Sequence, residues 1–163
     1  MNPRHVNFLG GGSPCPLHVF LHFNLNNLEK ITLKLGSSFE LFFLGSHERE
    51  AAVIEWFQAY LQGEHPVFPL PLSPTLKPFT WRVLCALQNI PFGKTQSYLD
   101  VAANVGNAKA SRAVGNACRV NPFPLILPCH RVINTGGSLG GFAYGLEMKQ
   151  RLLEFERMAI QTP

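Results

Sequence analysis

The sequence carries little charge and no long apolar run. Of its 163 residues only 15% are Asp, Glu, Lys or Arg, whereas 46% are hydrophobic. That balance excludes an intrinsically disordered chain, which combines low hydrophobicity with high net charge. No apolar stretch approaches the roughly 20 residues of a membrane-spanning helix, so no membrane partner is expected. The opening stretch MNPRHVNFLGGGSPCP lacks the apolar segment of an export signal. Cysteine is scarce: Cys15, Cys85, Cys118 and Cys129 show no framework spacing. A disulfide scaffold is not expected, and free thiols suit a reducing, intracellular setting. There is no internal repeat and no low-complexity segment.

Acidic residues are scarce in one half. Up to Thr75 there are four Lys/Arg against six Asp/Glu, a net of −2; from Leu76 onward there are ten against four, a net of +6. The second half therefore presents either a solvated basic face or a site for a polyanion.

Proline is concentrated in HPVFPLPLSPTLKP, His65 to Pro78, which reads as a connector between residues 1–72 and 73–163. In the first domain LHVFLHFNL alternates, and ITLKL and ELFFLG have the composition of further strands. SHEREAAVIEWFQAYLQG predicts a helix capped by Ser46 and ended by Gly63, with Val53, Ile54, Phe57, Tyr60 and Leu61 inward. A small α/β domain is expected.

The second domain reads as mostly helical. PFTWRVLCALQNIP predicts a helix stopped by Pro91, TQSYLDVAANVG one capped by Thr95, and NAKASRAVGNACRVN one capped by Asn107. GLEMKQRLLEFERM predicts a closing amphipathic helix. The middle pair matches a helix-turn-helix whose second member carries Lys109, Arg112 and Arg119. With small residues such as Ala110 and Ser111, its backbone is able to approach a groove closely. Together with Thr95, these are the expected nucleic-acid-facing residues.

One stretch carries possible chemistry: PFPLILPCHRVINTGG, Pro122 to Gly137. Its apolar lead reads as a buried strand ending at Cys129, followed at once by His130 and Arg131. A thiol there is either inert core or a nucleophile beside a base. An ordinary cysteine is only a few per cent thiolate at neutral pH, so a reactive one needs a proton acceptor close by. His130 would serve, oriented by a carboxylate such as Glu156.

PCHRV, with IPFGKTQSY, ASRAVG and NPFPLIL ahead of it and GLEMKQRLLEFE behind, resembles the signature of O6-alkylguanine-DNA alkyltransferases. The resemblance runs from about Phe79 to Glu156. It implies a ribonuclease-H-like N-terminal domain, a winged helix-turn-helix in the C-terminal one, and double-stranded DNA containing O6-alkylguanine as partner. It also implies a monomer that needs no cofactor. Cys129 would take the alkyl group irreversibly, with His130 as base through a water and Glu156 holding the imidazole. Tyr98 would assist guanine departure, and Arg112 would fill the space left by the flipped base. Asn121, Val132, Tyr144 and Cys118 would shape the pocket, Tyr144 narrowing its mouth. The compartment implied is the cytoplasm of a prokaryote or the nucleus of a eukaryote. An alkyltransferase-like lesion binder without the acceptor thiol and a winged-helix regulator are the rivals. The spacing of Cys15, His18 and His22, with His5 nearby, also suits a structural zinc. However, residues four apart on a strand are separated by about 13 Å, so no metal site is expected.

Overall fold

The computed structural model describes residues 4–8, 15–45 and 48–161. The chain divides into two compact units, Met1–Ser73 and Pro74–Pro163. The first is a small sheet with one helix and the second is mostly helical.

In the first unit β1 (Arg4–Asn7), β2 (Leu17–Asn24), β3 (Asn27–Leu35) and β4 (Glu40–Leu44) form one sheet in the order β1-β4-β2-β3. β2 runs antiparallel to β3 and parallel to β4, and β1 is antiparallel to β4. Alternation does the sorting: Leu17, Val19, Leu21, Ile31, Leu33, Leu41 and Phe43 are buried. Leu25 and Asn26 turn the β2–β3 hairpin with φ of 46° and 66°, the left-handed pair that matches strand twist. β1 had no signal in the sequence, being four residues long with a single apolar side chain, Val6.

α1 (Glu50–Leu61) starts later than expected, after an Arg49 N-cap that makes no side-chain capping bond. Ser46, the expected cap, lies outside the described residues. The buried face is Val53, Trp56, Phe57 and Tyr60 with Glu50, while Ile54 and Leu61 are half-buried. Trp56 displaces them because its ring has a covered partner surface: it stacks on Tyr60 at 5.8 Å and meets Phe68 edge-on at 5.5 Å. Its Nε1 donates to the Pro66 carbonyl at 2.8 Å. Part of the proline-rich stretch thus packs onto α1, fastened by an aromatic residue with a polar handle.

The second unit begins with α2 (Pro78–Ala86), whose proline occupies the first turn, where no donor is needed. It tightens into a 3₁₀ turn, Leu87–Asn89. β5 (Gln96–Ser97) precedes α3 (Tyr98–Asn104). Ser97, not Thr95, caps α3: its Oγ accepts from Asp100 N at 3.0 Å and Asp100 Oδ2 accepts from Ser97 N at 3.1 Å. That reciprocal box satisfies two donors at once, which Thr95 could not. Gly106 (φ +86°) ends the turn after α3. Asn107 does not cap α4 (Ser111–Arg119); its Oδ1 accepts from Lys109 N at 3.2 Å, closing a turn ahead of the helix. β6 (Val132–Ile133) pairs in parallel with β5, and α5 (Leu146–Gln161) closes the unit.

Candidate active site

The expected buried strand before Cys129 is instead a pinned turn. Pro122, Pro124 and Pro128 remove the donors a ladder needs, and Leu125 adopts φ 73°. Leu127 N donates to Phe123 O at 2.9 Å, and Cys129 N to Leu127 O at 2.8 Å. Asn121 fastens both ends: its Nδ2 donates to Leu127 O at 2.8 Å, and its Oδ1 accepts from Phe123 N at 2.9 Å. Phe123, Leu125, Ile126 and Leu127 are buried, so burial was read correctly and conformation was not.

Cys129, His130 and Arg131 form one 3₁₀ turn leading into β6. Cys129 is 5% exposed, and His130 and Arg131 are fully buried. His130 Nε2 donates to Glu156 Oε1 at 2.6 Å. Arg131 donates to the same carboxylate from Nε at 2.8 Å and Nη2 at 3.0 Å, and from Nη1 to Ile90 O at 2.8 Å. Gly93 N adds a fourth donor to Glu156, at 3.2 Å. Burial opposes ionisation of Glu156, but His130 and Arg131 outweigh it and hold the carboxyl far below the usual range. His130 Nδ1, also buried, has no hydrogen-bond partner among the described residues.

Burial pushes the Cys129 thiol up, while the Asn121 side chain and the Lys149 cation work the other way. Lys149 is fully buried on α5. Its Nζ donates to Val132 O at 2.6 Å and Gly141 O at 3.0 Å, and lies 5.8 Å from the Tyr98 ring centre. Burial likewise pushes up the Cys118 thiol and the Tyr98 and Tyr144 hydroxyls, with the nearby Cys129 adding to each. These four groups therefore share one neighbourhood.

A cavity of about 680 Å³ opens beside it, walled by Tyr98, Arg112, Cys118, Arg119 and Asn134 among others. Ser111 lines it too, and with Arg112, Lys109 and Ala110 it also lines a second hollow of about 500 Å³. Asn116 was not singled out from the sequence, yet it borders both hollows one turn beyond Arg112. Thr95 is exposed and borders neither. Asn121, Val132 and Tyr144 are not on the cavity wall. Val132 instead offers Lys149 its backbone carbonyl, and the Asn121 side chain holds the turn. Tyr144 is half-buried with its ring edge-on to Phe142 at 5.8 Å.

Reading the sequence missed Arg131 and Lys149. The signal for Lys149 was present: Met148, Lys149, Leu152, Phe155 and Glu156 share the buried stripe of α5, so two charges seven residues apart sit where only apolar residues belong. Of the zinc candidates, His22 Nε2 bonds Thr32 Oγ1 at 2.9 Å, and His5 and His18 turn to Glu40. Among the described residues no three His, Cys, Asp or Glu form a metal-ligating group.

Residues 78–158 match the family described as 6-O-methylguanine DNA methyltransferase, DNA binding domain. A methylated-DNA–protein-cysteine methyltransferase of Methanosarcina acetivorans is 48% identical over 99 residues, 61% of this chain and 64% of that one. The matched part thus spans just under two thirds of that relative. A probable methylated-DNA–protein-cysteine methyltransferase of Acanthamoeba polyphaga mimivirus is 45% identical over 103 residues, 63% of this chain and 68% of its own. Among solved structures, Mycobacterium tuberculosis OGT in complex with DNA superposes with a TM-score of 0.71 at 30% identity, covering 87% of this chain and 94% of that one. The chain belongs to the 6-O-methylguanine-DNA methyltransferase family.

Proposed function

We propose that the protein repairs DNA by direct damage reversal. It binds duplex DNA, turns an O6-alkylguanine out of the stack, and takes the alkyl group irreversibly onto Cys129. The observation that carries this reading is the buried run of thiol, imidazole and carboxylate at Cys129, His130 and Glu156, set beside a cavity walled by Tyr98 and Arg112. The names of the relatives, which pair methylated DNA with a protein cysteine, agree with it.

In the proposed step His130 Nδ1 takes the thiol proton through a water. The thiolate sulfur attacks the alkyl carbon, the S–C bond forms, and the C–O6 bond breaks with its electron pair leaving on guanine. Tyr98 donates to ring N3 and stabilises that charge. A flipped base costs a few kcal/mol, which Arg112 offsets by filling its place. The thioether product has no route back, so each molecule acts once. We read α3 and α4 as a winged helix-turn-helix, with Lys109, Ala110, Ser111 and Arg119 following the DNA backbone, and Thr95 touching it from the turn before β5. We read the first unit as ribonuclease-H-like. The protein would act as a monomer without cofactor, in the cytoplasm or, in a eukaryote, the nucleus.

The test is incubation with duplex DNA carrying labelled O6-methylguanine, followed by mass spectrometry. One methyl group on Cys129, absent in Cys129→Ser, is expected. No transfer, or transfer that persists in the variant, overturns the reading and leaves a lesion binder or a regulator.

A further inference from the structure

Glu156 holds more donors than its support of His130 requires. Four reach its two oxygens: His130 Nε2, Arg131 Nε, Arg131 Nη2 and Gly93 N. A carboxylate has about four lone-pair sites, so all are engaged, and the group acts as acceptor alone. The hydrogen between His130 and Glu156 therefore belongs to Nε2. The imidazole is thereby left with Nδ1 as its acceptor, the buried atom with no partner among the described residues.

Charge counting gives Arg131 a second role. Arg131 and Glu156, fully buried and 2.8 Å apart, are a neutral pair. A proton on His130 would make the trio cationic, and Lys149 of α5 adds another positive charge by the thiol. Uncompensated buried charge is costly. Without Arg131 the balance inverts: Glu156 and a protonated His130 would form the neutral pair, and an imidazolium cannot accept a proton. We propose that Arg131 is a positioning residue for alkyl transfer, acting through Glu156 to keep His130 in the Nε2–H form with Nδ1 ready to accept.

The inference rests on the proposed transfer to Cys129, and the experiment separates the two. Single-turnover transfer from O6-methylguanine duplex is followed across pH for the wild type, Arg131→Gln and Arg131→Lys. Arg131→Gln is expected to be about 10²-fold slower at neutral pH, the scale of a lost general base. Its rate should recover as pH rises and the imidazolium deprotonates. Arg131→Lys keeps the charge but not the fork, and should keep the wild-type pH profile at a moderately lower rate. A loss in Arg131→Gln that is equal at every pH, or a profile displaced in Arg131→Lys, overturns the proposal. Where Arg131→Gln does not fold, Arg131→Lys still decides through its profile. Nitrogen-15 NMR of His130 supplies a readout independent of transfer. The wild type should show the Nε2–H tautomer at neutral pH, and an imidazolium there overturns the assignment even if no methyl group ever reaches Cys129. Absence of transfer in the wild type with the expected tautomer would refute the repair reading alone.

Discussion

His130 Nε2 lies 2.6 Å from Glu156 Oε1, with both side chains sealed from solvent. The 3₁₀ turn and α5 bring together at that contact two residues 26 positions apart in the chain. The dependence runs one way: without His130 the Glu156 carboxylate keeps Arg131 and Gly93 as donors, whereas without Glu156 neither ring nitrogen of His130 has a hydrogen-bond partner among the described residues.

Glu156→Gln is the sharpest test of that dependence. It leaves Arg131 buried without its anion, which costs about 3–5 kcal/mol of stability. It also offers His130 an amide in place of a carboxylate. Denaturant unfolding should show the loss. Any protein that remains folded should methylate Cys129 about 10²-fold more slowly, the scale of a disabled general base.

Acid should weaken the fold through the same residue. The Glu156 carboxyl is ionised in the folded protein far below its ordinary value of 4.5. A depressed acid contributes its stabilisation fully above the unfolded value and loses it as pH falls towards the folded one. Stability measured by unfolding should therefore fall steadily below pH 4.5, and Glu156→Gln should show a shallower slope there. Equal slopes would mean that other groups dominate acid unfolding.

Lys149→Met tests the buried cation. Val132 O and Gly141 O lose their donor, at about 1–3 kcal/mol for each carbonyl left unsatisfied. The thiol also loses a charge that favours its ionised form. Iodoacetamide labelling of Cys129, read by mass spectrometry over pH, should shift to more alkaline conditions than in the wild type. An unchanged profile would place Lys149 in packing alone.

Asn121→Ala removes both fastenings of the turn that carries Cys129. The expected cost is about 1–3 kcal/mol, since a buried carbonyl and amide are left open. The thiol loses its side-chain donor as well, so methyl transfer should slow in step with weaker thiolate formation. Thermal unfolding and single-turnover rates check the two effects separately.

Tyr144 is expected to limit the size of the alkyl group accepted. Its half-buried ring stands against Phe142 and close enough to Cys129 to feel its charge. Methyl lesions should react well and O6-benzylguanine poorly, with Tyr144→Gly increasing inactivation by the benzyl compound. Rapid inactivation of the wild type would refute this assignment.

Much of the fold was legible wherever a pattern repeats. Alternation marked β2, composition marked β3 and β4, and the apolar stripes marked α2 and α5. Local chemistry misled where two neighbours competed for one job. Thr95 and Asn107 have the right side chains for a cap, but Ser97 has Asp100 three residues on, and Asn107 is spent on its own turn. The run before Cys129 is apolar enough for a strand, yet its prolines forbid one.

By itself the sequence determined which apolar runs bury, where the basic half lies, and which motif surrounds Cys129. These are local properties: hydrophobicity, charge and order along the chain. Only the tertiary structure decided that Arg131 and Lys149 are interior residues with assigned partners. Their burial is tolerable because a carboxylate 25 positions from Arg131 and carbonyls 8 and 17 positions from Lys149 arrive within hydrogen-bond distance. A buried charge is fixed by such partners, and no window of sequence contains both ends of those bonds.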